Sequence, residues 1–215
     1  LSAAAAAGSA GVLEREVDLR APPRPIKICV TGAAGNIGYA VVFMIAQGQA
    51  LPGRPLELRL LDIPKLQATL DVLKMELIDC AFPLLINIVA TTDPDVAFKD
   101  VDLALLIGAM PRGKGMLRSD LMKANTAIFE AQGRSLNRVA SRNAHVVVVG
   151  NPANTNCWSC MQSAPDLNPR NFTALTRLDL NRAKAMVANR LGVPSHSVGN
   201  VIIWGNHSRT QFPDV

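Results

Sequence analysis

Three glycines spaced three apart, directly after a short apolar run, constrain this chain more than any other feature. The run is Ile28-Cys29-Val30, and the glycines are Gly32, Gly35 and Gly38, within IKICVTGAAGNIG (26–38). The run is of the kind that makes a fully buried strand, and an apolar helical pattern follows it. A strand, a glycine-rich turn and a helix in that order build a cradle for a phosphate. Gly32 permits the tight turn, Gly35 lets the backbone approach a pyrophosphate, and Gly38 lets the helix pack close to the strand. The N–H groups of the helix start then face the anion, and the helix dipole adds about 0.3–1 kcal/mol. The spacing is G-x-x-G-x-x-G rather than the commoner G-x-G-x-x-G, so a glycine-rich turn without a ligand stays open at this point.

The remaining chain repeats the same alternation. Strands are expected at 56–63, 86–91, 101–108, 145–150, 172–176 and 201–204, and helices at 39–47, 66–77, after Asp93-Pro94, after Ser119, after Pro152 and from Arg177. Strands alternating with helices at this pace predict an α/β fold, a parallel sheet with crossover helices on its faces. Hydrophobic residues make up 49% of the 215 and aromatics only 4%, which suits an aliphatic sheet core. Leu66, Leu70, Leu73 and Leu77 form an apolar helical stripe that reads as core or subunit interface.

Several function classes are excluded. The net charge of +5 comes from 22 basic and 17 acidic residues that form no runs and do not interleave with aromatics, so no nucleic-acid surface is expected. No apolar run approaches the ~20 residues of a membrane span. The four cysteines make no secreted disulfide framework. Cys157-x-x-Cys160 has no second pair beside it and reads as two small helix residues rather than half a metal site, so no metal is expected. Residues 1–24 read as a flexible extension. They are Ala-rich, then Pro-rich at Pro22, Pro23 and Pro25, and Glu14, Glu16 and Asp18 speak against an organelle-targeting peptide. The chain begins at Leu1 and stops at Val215 without an ending signal, so a fragment is expected.

Ligands collect at the carboxyl ends of strands in such a sheet, and four strand ends carry candidate residues. Asp62 closes the second strand, where a carboxylate accepts hydrogen bonds from a ribose 2′-hydroxyl and repels a 2′-phosphate. That favours NAD over NADP. The stretch GAMPRGKGMLRSD (108–120) carries Arg112, Lys114 and Arg118 between glycines and reads either as a mobile lid or as a solvated basic loop. Asn151 ends the fifth strand. Asp179 and Arg182, three apart, share one face of their helix. His207 follows the last strand among small and polar residues, where a titratable imidazole reaches a ligand.

These residues fall into motifs that resemble a known family. They are TGAAGNIG (31–38), LLDI (60–63), MELIDCAFPLL (75–85), MPRGKGMLRSDL (110–121), GNPANTN (150–156), LTRLDLNRAKA (175–185) and IIWGNHSRTQFPDV (202–215). From about Pro25 to Val215 the chain is similar to the malate dehydrogenases of the cytosolic type, in the lactate/malate dehydrogenase superfamily. The resemblance implies a Rossmann-type doubly wound sheet at 25–175 and the beginning of an α+β substrate domain at 176–215, with its remainder absent. It implies a cytoplasmic homodimer that interconverts malate and oxaloacetate with NAD. His207 matches the general base, and Asp179 the carboxylate that orients it. Arg182 matches the grip on the C1 carboxylate, Arg112 the partner of the distal carboxylate, and Arg118 the group that polarises the keto oxygen. Gly32, Ala33, Ala34, Gly35, Asn36, Ile37, Gly38, Asp62, Asn125, Gln132, Val149, Gly150 and Asn151 match cofactor contacts, and Asn151 also matches a substrate contact.

The chain departs from that family in three places. Leu180 replaces a polar residue. ALLIGAMPRGKGM and LNRVASRN lean towards the plastid NADP-dependent branch, whereas Asp62 leans to NAD. A lactate dehydrogenase would carry an uncharged side chain in place of Arg112. A short-chain reductase would need a Tyr-x-x-x-Lys pair, and the only tyrosine, Tyr39, has Phe43 at that spacing. An inactive homologue acting as a binding protein remains the alternative.

Overall fold

The computed structural model describes residues 24–111 and 113–215. The extension expected at 1–24 therefore lies outside the described residues except for Arg24, whose guanidinium is bonded to both carboxylate oxygens of Asp102 at 2.9 and 2.7 Å. Six strands form one parallel sheet: β1 (Ile26–Thr31), β2 (Leu56–Leu61), β3 (Leu85–Thr91), β4 (Leu103–Leu106), β5 (His145–Val148) and β6 (Phe172–Ala174). Their order is β3-β2-β1-β4-β5-β6. The chain thus runs outward from β1 to β3, then returns to the other side of β1. Where that reversal falls, between β1 and β4, the connections that follow the two strands run to opposite faces of the sheet and leave a crevice. The fold is the Rossmann-like doubly wound sheet that the sequence predicts.

Alternation along the strands builds a core on each face. Ile28 and Val30 of β1, with Leu56, Leu58 and Leu60 of β2, meet α1 (Asn36–Ala46) and α2 (Gln67–Asp79). Cys29, on the opposite pleat, joins the other core with Ala104, Leu106, Val146 and Val148. That face is covered by α3 (Pro94–Phe98), α4 (Arg118–Val139) and α5 (Ala153–Gln162), which supply Phe98, Phe129, Leu136 and Cys160. The side chains are aliphatic because both faces of a parallel sheet are buried. At about 25 cal/mol per Å² of apolar surface, each buried Leu or Ile contributes roughly 1.5–3 kcal/mol.

Leu70, Leu73 and Leu77 are buried in the core, so the leucine stripe of α2 is not an interface. The opposite side of the same helix leaves Val72, Met75 and Ile78 exposed at 48%, 57% and 57%.

Local boundaries differ from expectation in instructive ways. Helix α1 starts at Asn36, with Gly35 as its N-cap, so Gly38 lies inside the first turn. Helix α4 starts at Arg118 and its N-cap is Leu117, without a side-chain cap, rather than Ser119. Strand β4 ends at Leu106, short of its apolar run, although the Gly108 N–H beyond it still bonds the Thr31 carbonyl of β1 at 3.1 Å.

After β6 the chain enters α6 (Arg177–Leu191) and then a two-stranded antiparallel ribbon, β7 (Ile202–Trp204) with β8 (Phe212–Asp214). Strand β8 was not expected from the sequence, because Pro213 interrupts its pattern. A proline is tolerated at an edge, where no ladder bond is needed from its nitrogen. No helix among the described residues is long and apolar enough to cross a membrane.

Candidate active site

The glycine turn is held by contacts that tolerate no side chain. Gly32 has φ +66°, and a Cβ there would fall 2.6 Å from the Gly108 Cα. A Cβ on Gly38 would collide with the Gly32 carbonyl oxygen and fall 2.8 Å from the Ala33 Cα. Strand β1, strand β4 and helix α1 therefore converge backbone to backbone. Gly35 is different: its nearest neighbour would be the Gly32 oxygen at 3.2 Å, and its outer side is exposed. Gly35, Asn36 and Ile37 are exposed, and no partner among the described residues meets the N–H groups of Asn36, Ile37 or Gly38. Three free donors at a helix N-terminus, beside a gap where a side chain would otherwise stand, fit a pyrophosphate. Ala33 is fully buried, and its N–H is bonded to the Leu61 carbonyl at 3.3 Å.

Asp62 stands beside this turn, one residue past β2. Its Oδ2 accepts from the Ala34 N–H at 3.0 Å and its Oδ1 from the Ile63 N–H at 2.8 Å. Two main-chain donors hold the carboxylate, and each oxygen keeps a lone pair for a further donor such as a ribose hydroxyl.

The carboxyl ends of β4 and β5 are laced together by one amide. Asn125, on α4, is fully buried. Its Oδ1 accepts from the Met110 N–H at 2.7 Å, and its Nδ2 donates to the carbonyls of Met110 at 3.1 Å and Asn151 at 3.2 Å. With both N–H bonds spent, what reaches the crevice here is Met110 and Asn151 rather than Asn125 itself. The Asn151 side chain is exposed, and the Asn151–Pro152 peptide is cis. Val149 and Gly150 both donate to the Leu106 carbonyl, at 2.9 and 3.1 Å. A Cβ on Gly150 would press on Ala109 at 2.8 Å and Phe129 at 2.9 Å. Gln132 buries its Oε1 without a partner among the described residues.

The second constellation belongs to α6 and the ribbon. The His207 Nδ1 lies 2.6 Å from Asp179 Oδ2. With Nδ1 donating to the carboxylate, the neutral imidazole presents the Nε2 lone pair on its other side. The Asp179 side chain is 4% exposed, whereas His207 is 40% exposed. The acid is thus shielded and the imidazole is open, the arrangement that lets one group orient and the other exchange a proton. Arg182, one helical turn beyond Asp179, is exposed and makes no ion pair with any described residue. Arg118 is the first residue of α4, and Arg112 lies outside the described residues.

Two residues escaped the sequence reading. Asn154 at the start of α5 accepts from the His207 main-chain N–H at 3.0 Å, and Gln211 donates to Asp179 Oδ1 at 3.4 Å. Asn154 stood inside a recognised motif, but only the folded ribbon brings its amide to position 207. The Cys157–Cys160 pair behaves as a packing feature. Both thiols are buried, and burial pushes them up, Cys160 to about 12, so neither is a ready thiolate. No group of three or more metal-ligating side chains occurs among the described residues.

A doubly wound sheet with a phosphate cradle at its switch point is the architecture of a dinucleotide-binding domain, and here it is followed by an acid-backed imidazole. Residues 26–173 match the NAD-binding domain of the lactate/malate dehydrogenases, and residues 176–215 match the α/β C-terminal domain of the same family. The chain belongs to the lactate/malate dehydrogenase family, and NAD is the cofactor its first domain takes. It is 46% identical to a malate dehydrogenase from Naegleria fowleri, with a TM-score of 0.88 over 90% of this chain and 60% of that one. It is also 46% identical to a Trichomonas vaginalis lactate dehydrogenase in complex with NADH and oxamate, with a TM-score of 0.84 over 88% of this chain and 57% of that one. A malate dehydrogenase from Plasmodium falciparum is 26% identical, with a TM-score of 0.70 over 87% of this chain and 57% of that one. The chain thus spans about three-fifths of the length of these relatives.

Proposed function

We propose that this chain serves the reversible, NAD-dependent oxidation of (S)-malate to oxaloacetate, as a cytoplasmic enzyme of the cytosolic type. The observation that carries the reading is the 2.6 Å contact between His207 and buried Asp179. His207 Nε2 takes the proton from the substrate hydroxyl, and Asp179 stabilises the imidazolium that results. Bound NAD supplies the acceptor for the hydride that leaves C2. Gly35 to Gly38 hold its pyrophosphate, and Asp62 holds the adenine ribose and disfavours a 2′-phosphate. Asn125 fixes Met110 and Asn151 where the ring end of the cofactor and the substrate meet, with Val149, Gly150 and Gln132 completing that wall.

The choice of malate over lactate rests on arginine chemistry. A dicarboxylate needs one more cation than lactate does, and the planar guanidinium pairs two-pronged with a carboxylate. Arg182 has no competing acid among the described residues and receives the C1 carboxylate. Arg112 receives the distal carboxylate, and Arg118 polarises the keto oxygen in reduction. The lactate dehydrogenase among the relatives makes the comparison of substrates the deciding experiment. With NADH, oxaloacetate should be reduced far faster than pyruvate. Arg112→Gln should cut that preference by about 2–5 kcal/mol, the usual cost of unpairing a desolvated charge. An unchanged ratio removes Arg112 from the role, and a native preference for pyruvate overturns the malate reading.

The exposed Val72, Met75 and Ile78 of α2 make a continuous apolar face that fits a homodimer contact. Met75→Lys should then shift the protein from dimer to monomer in sedimentation, and a native monomer rejects the contact.

A further inference from the structure

We propose that Gln211 is a positioning residue for the proton-transfer pair, gripping the carboxylate oxygen of Asp179 that His207 leaves free, with Asn154 anchoring the imidazole's main chain. The inference rests on the acid–base role given to His207 above.

The Asp179 carboxylate is 4% exposed, so water does not satisfy both of its oxygens. Oδ2 is taken by His207 at 2.6 Å, and Oδ1 is reached by Gln211 Nε2 at 3.4 Å. A buried carboxylate held by one oxygen alone is free to rotate about its last torsion and exchange oxygens, and the imidazole then swings with it. A second donor stops that rotation. The 3.4 Å separation is longer than an ordinary N–H···O bond, and such contacts tighten when substrate closes a site.

The amide orientation follows from charge. A flipped Gln211 would turn its oxygen towards a carboxylate, which repels it. As placed, Oε1 is buried and has no partner among the described residues, so Gln211 is not held there by a bond of its own acceptor. What its amide does at this place is donate to Asp179.

Both grips on Asp179 come from the same ribbon turn, which is braced. The hydroxyls of Ser208 and Thr210 lie 2.8 Å apart, and the Gln211 N–H bonds the Ser208 carbonyl at 3.2 Å. His207 and Gln211 are thereby spaced to meet the two oxygens of one acid. Asn154 then ties this turn to the nucleotide-binding domain through the His207 N–H at 3.0 Å. The pair is thus held from both sides by neutral amides, one on the acid and one on the main chain of the imidazole.

The test uses Gln211→Met, which keeps length and volume but removes the donor, and Asn154→Ala. Two readouts are measured: the kcat and KM for oxaloacetate with NADH, and the downfield proton resonance of His207 Nδ1–H. Gln211→Met should lower kcat by about tenfold or more with KM within about twofold, because the lost interaction acts on the reacting geometry rather than on substrate binding. The resonance should broaden or shift. Asn154→Ala should move the same two readouts less. Native kcat with an unmoved resonance in Gln211→Met overturns the proposal. If that variant does not fold, Gln211→Asn, an amide one methylene short, carries the test, and an unmoved resonance there overturns it. If the native protein reduces neither oxaloacetate nor pyruvate while Gln211→Met still perturbs the resonance, the positioning role stands and the catalytic reading falls.

Discussion

The glycine cradle and the His207–Asp179 pair, the two halves of the proposed site, are built by opposite means. The cradle is main chain. Its parts lie within 26–38, its donors are N–H groups, and its tolerances are set by backbones that approach too closely for a Cβ. The pair is side chain. Its members are 28 residues apart, one on a helix and one on a ribbon turn, and they meet only because α6 and the ribbon pack together. A main-chain site needs few residue types but exact spacing. A side-chain site needs exact residue types and is indifferent to their spacing in the chain. In the function proposed above, the cradle takes a charge that does not change and the pair moves a proton. Fixed dipoles suit the one task and a titratable group suits the other.

Breaking each half should give separable losses. His207→Asn should lower turnover by about 10²- to 10⁴-fold, the range for a lost general base, with NADH affinity in fluorescence titration nearly unchanged. Equal loss of cofactor binding would show that the halves are not independent. Gly38→Val should do the reverse and more, since its Cβ meets the Gly32 carbonyl and the Ala33 backbone. Overpacking of this kind costs about 1–3 kcal/mol, so thermal unfolding should come earlier and NADH binding should weaken together with it.

Asp62→Ser should act on the nucleotide side alone, beside the cradle. It removes the repulsion of a 2′-phosphate, and the NADH/NADPH preference in kcat/KM should fall by about tenfold or more, equivalent to ~1.4 kcal/mol. Equal native efficiency with both cofactors would reject the ribose role. The smallest effect lies outside both halves. Asp95 accepts from the Ser135 hydroxyl at 2.5 Å and pairs with Arg138 at 2.6 Å, and these hold its carboxyl below the usual carboxylate range, the Ser135 bond most. A depressed carboxyl contributes stability above its unfolded pKa and loses it as pH falls through the folded value. Ser135→Ala should therefore lower stability slightly near neutral pH and leave it unchanged in strong acid. A variant equally destabilised at both would assign the loss to packing instead.

Most of the nucleotide-binding half was legible before folding. Strand, turn and helix are neighbours in sequence, so local pattern and local structure coincide. The leucines of α2 were equally plain as a stripe, yet periodicity says only that a face is apolar, not which body covers it. The structure put Leu70, Leu73 and Leu77 in the core and left Met75 and Ile78 outside. Asn125 shows a further limit. A resemblance can place it near a cofactor, but its three bonds to Met110 and Asn151 are visible only once β4 and β5 stand side by side. Strand β8 was hidden because a three-residue edge strand containing proline carries almost no pattern of its own.

By itself the sequence determined the alternation of strands and helices, the phosphate turn and the aliphatic character of the core. Each follows from short-range sterics and from the burial of apolar side chains, which neighbours in the chain already express. Only the tertiary structure decided which strands lie beside β1, which acid faces His207 and which amides clamp them. Those contacts join residues far apart in sequence, and their energy exists only after the sheet has been assembled.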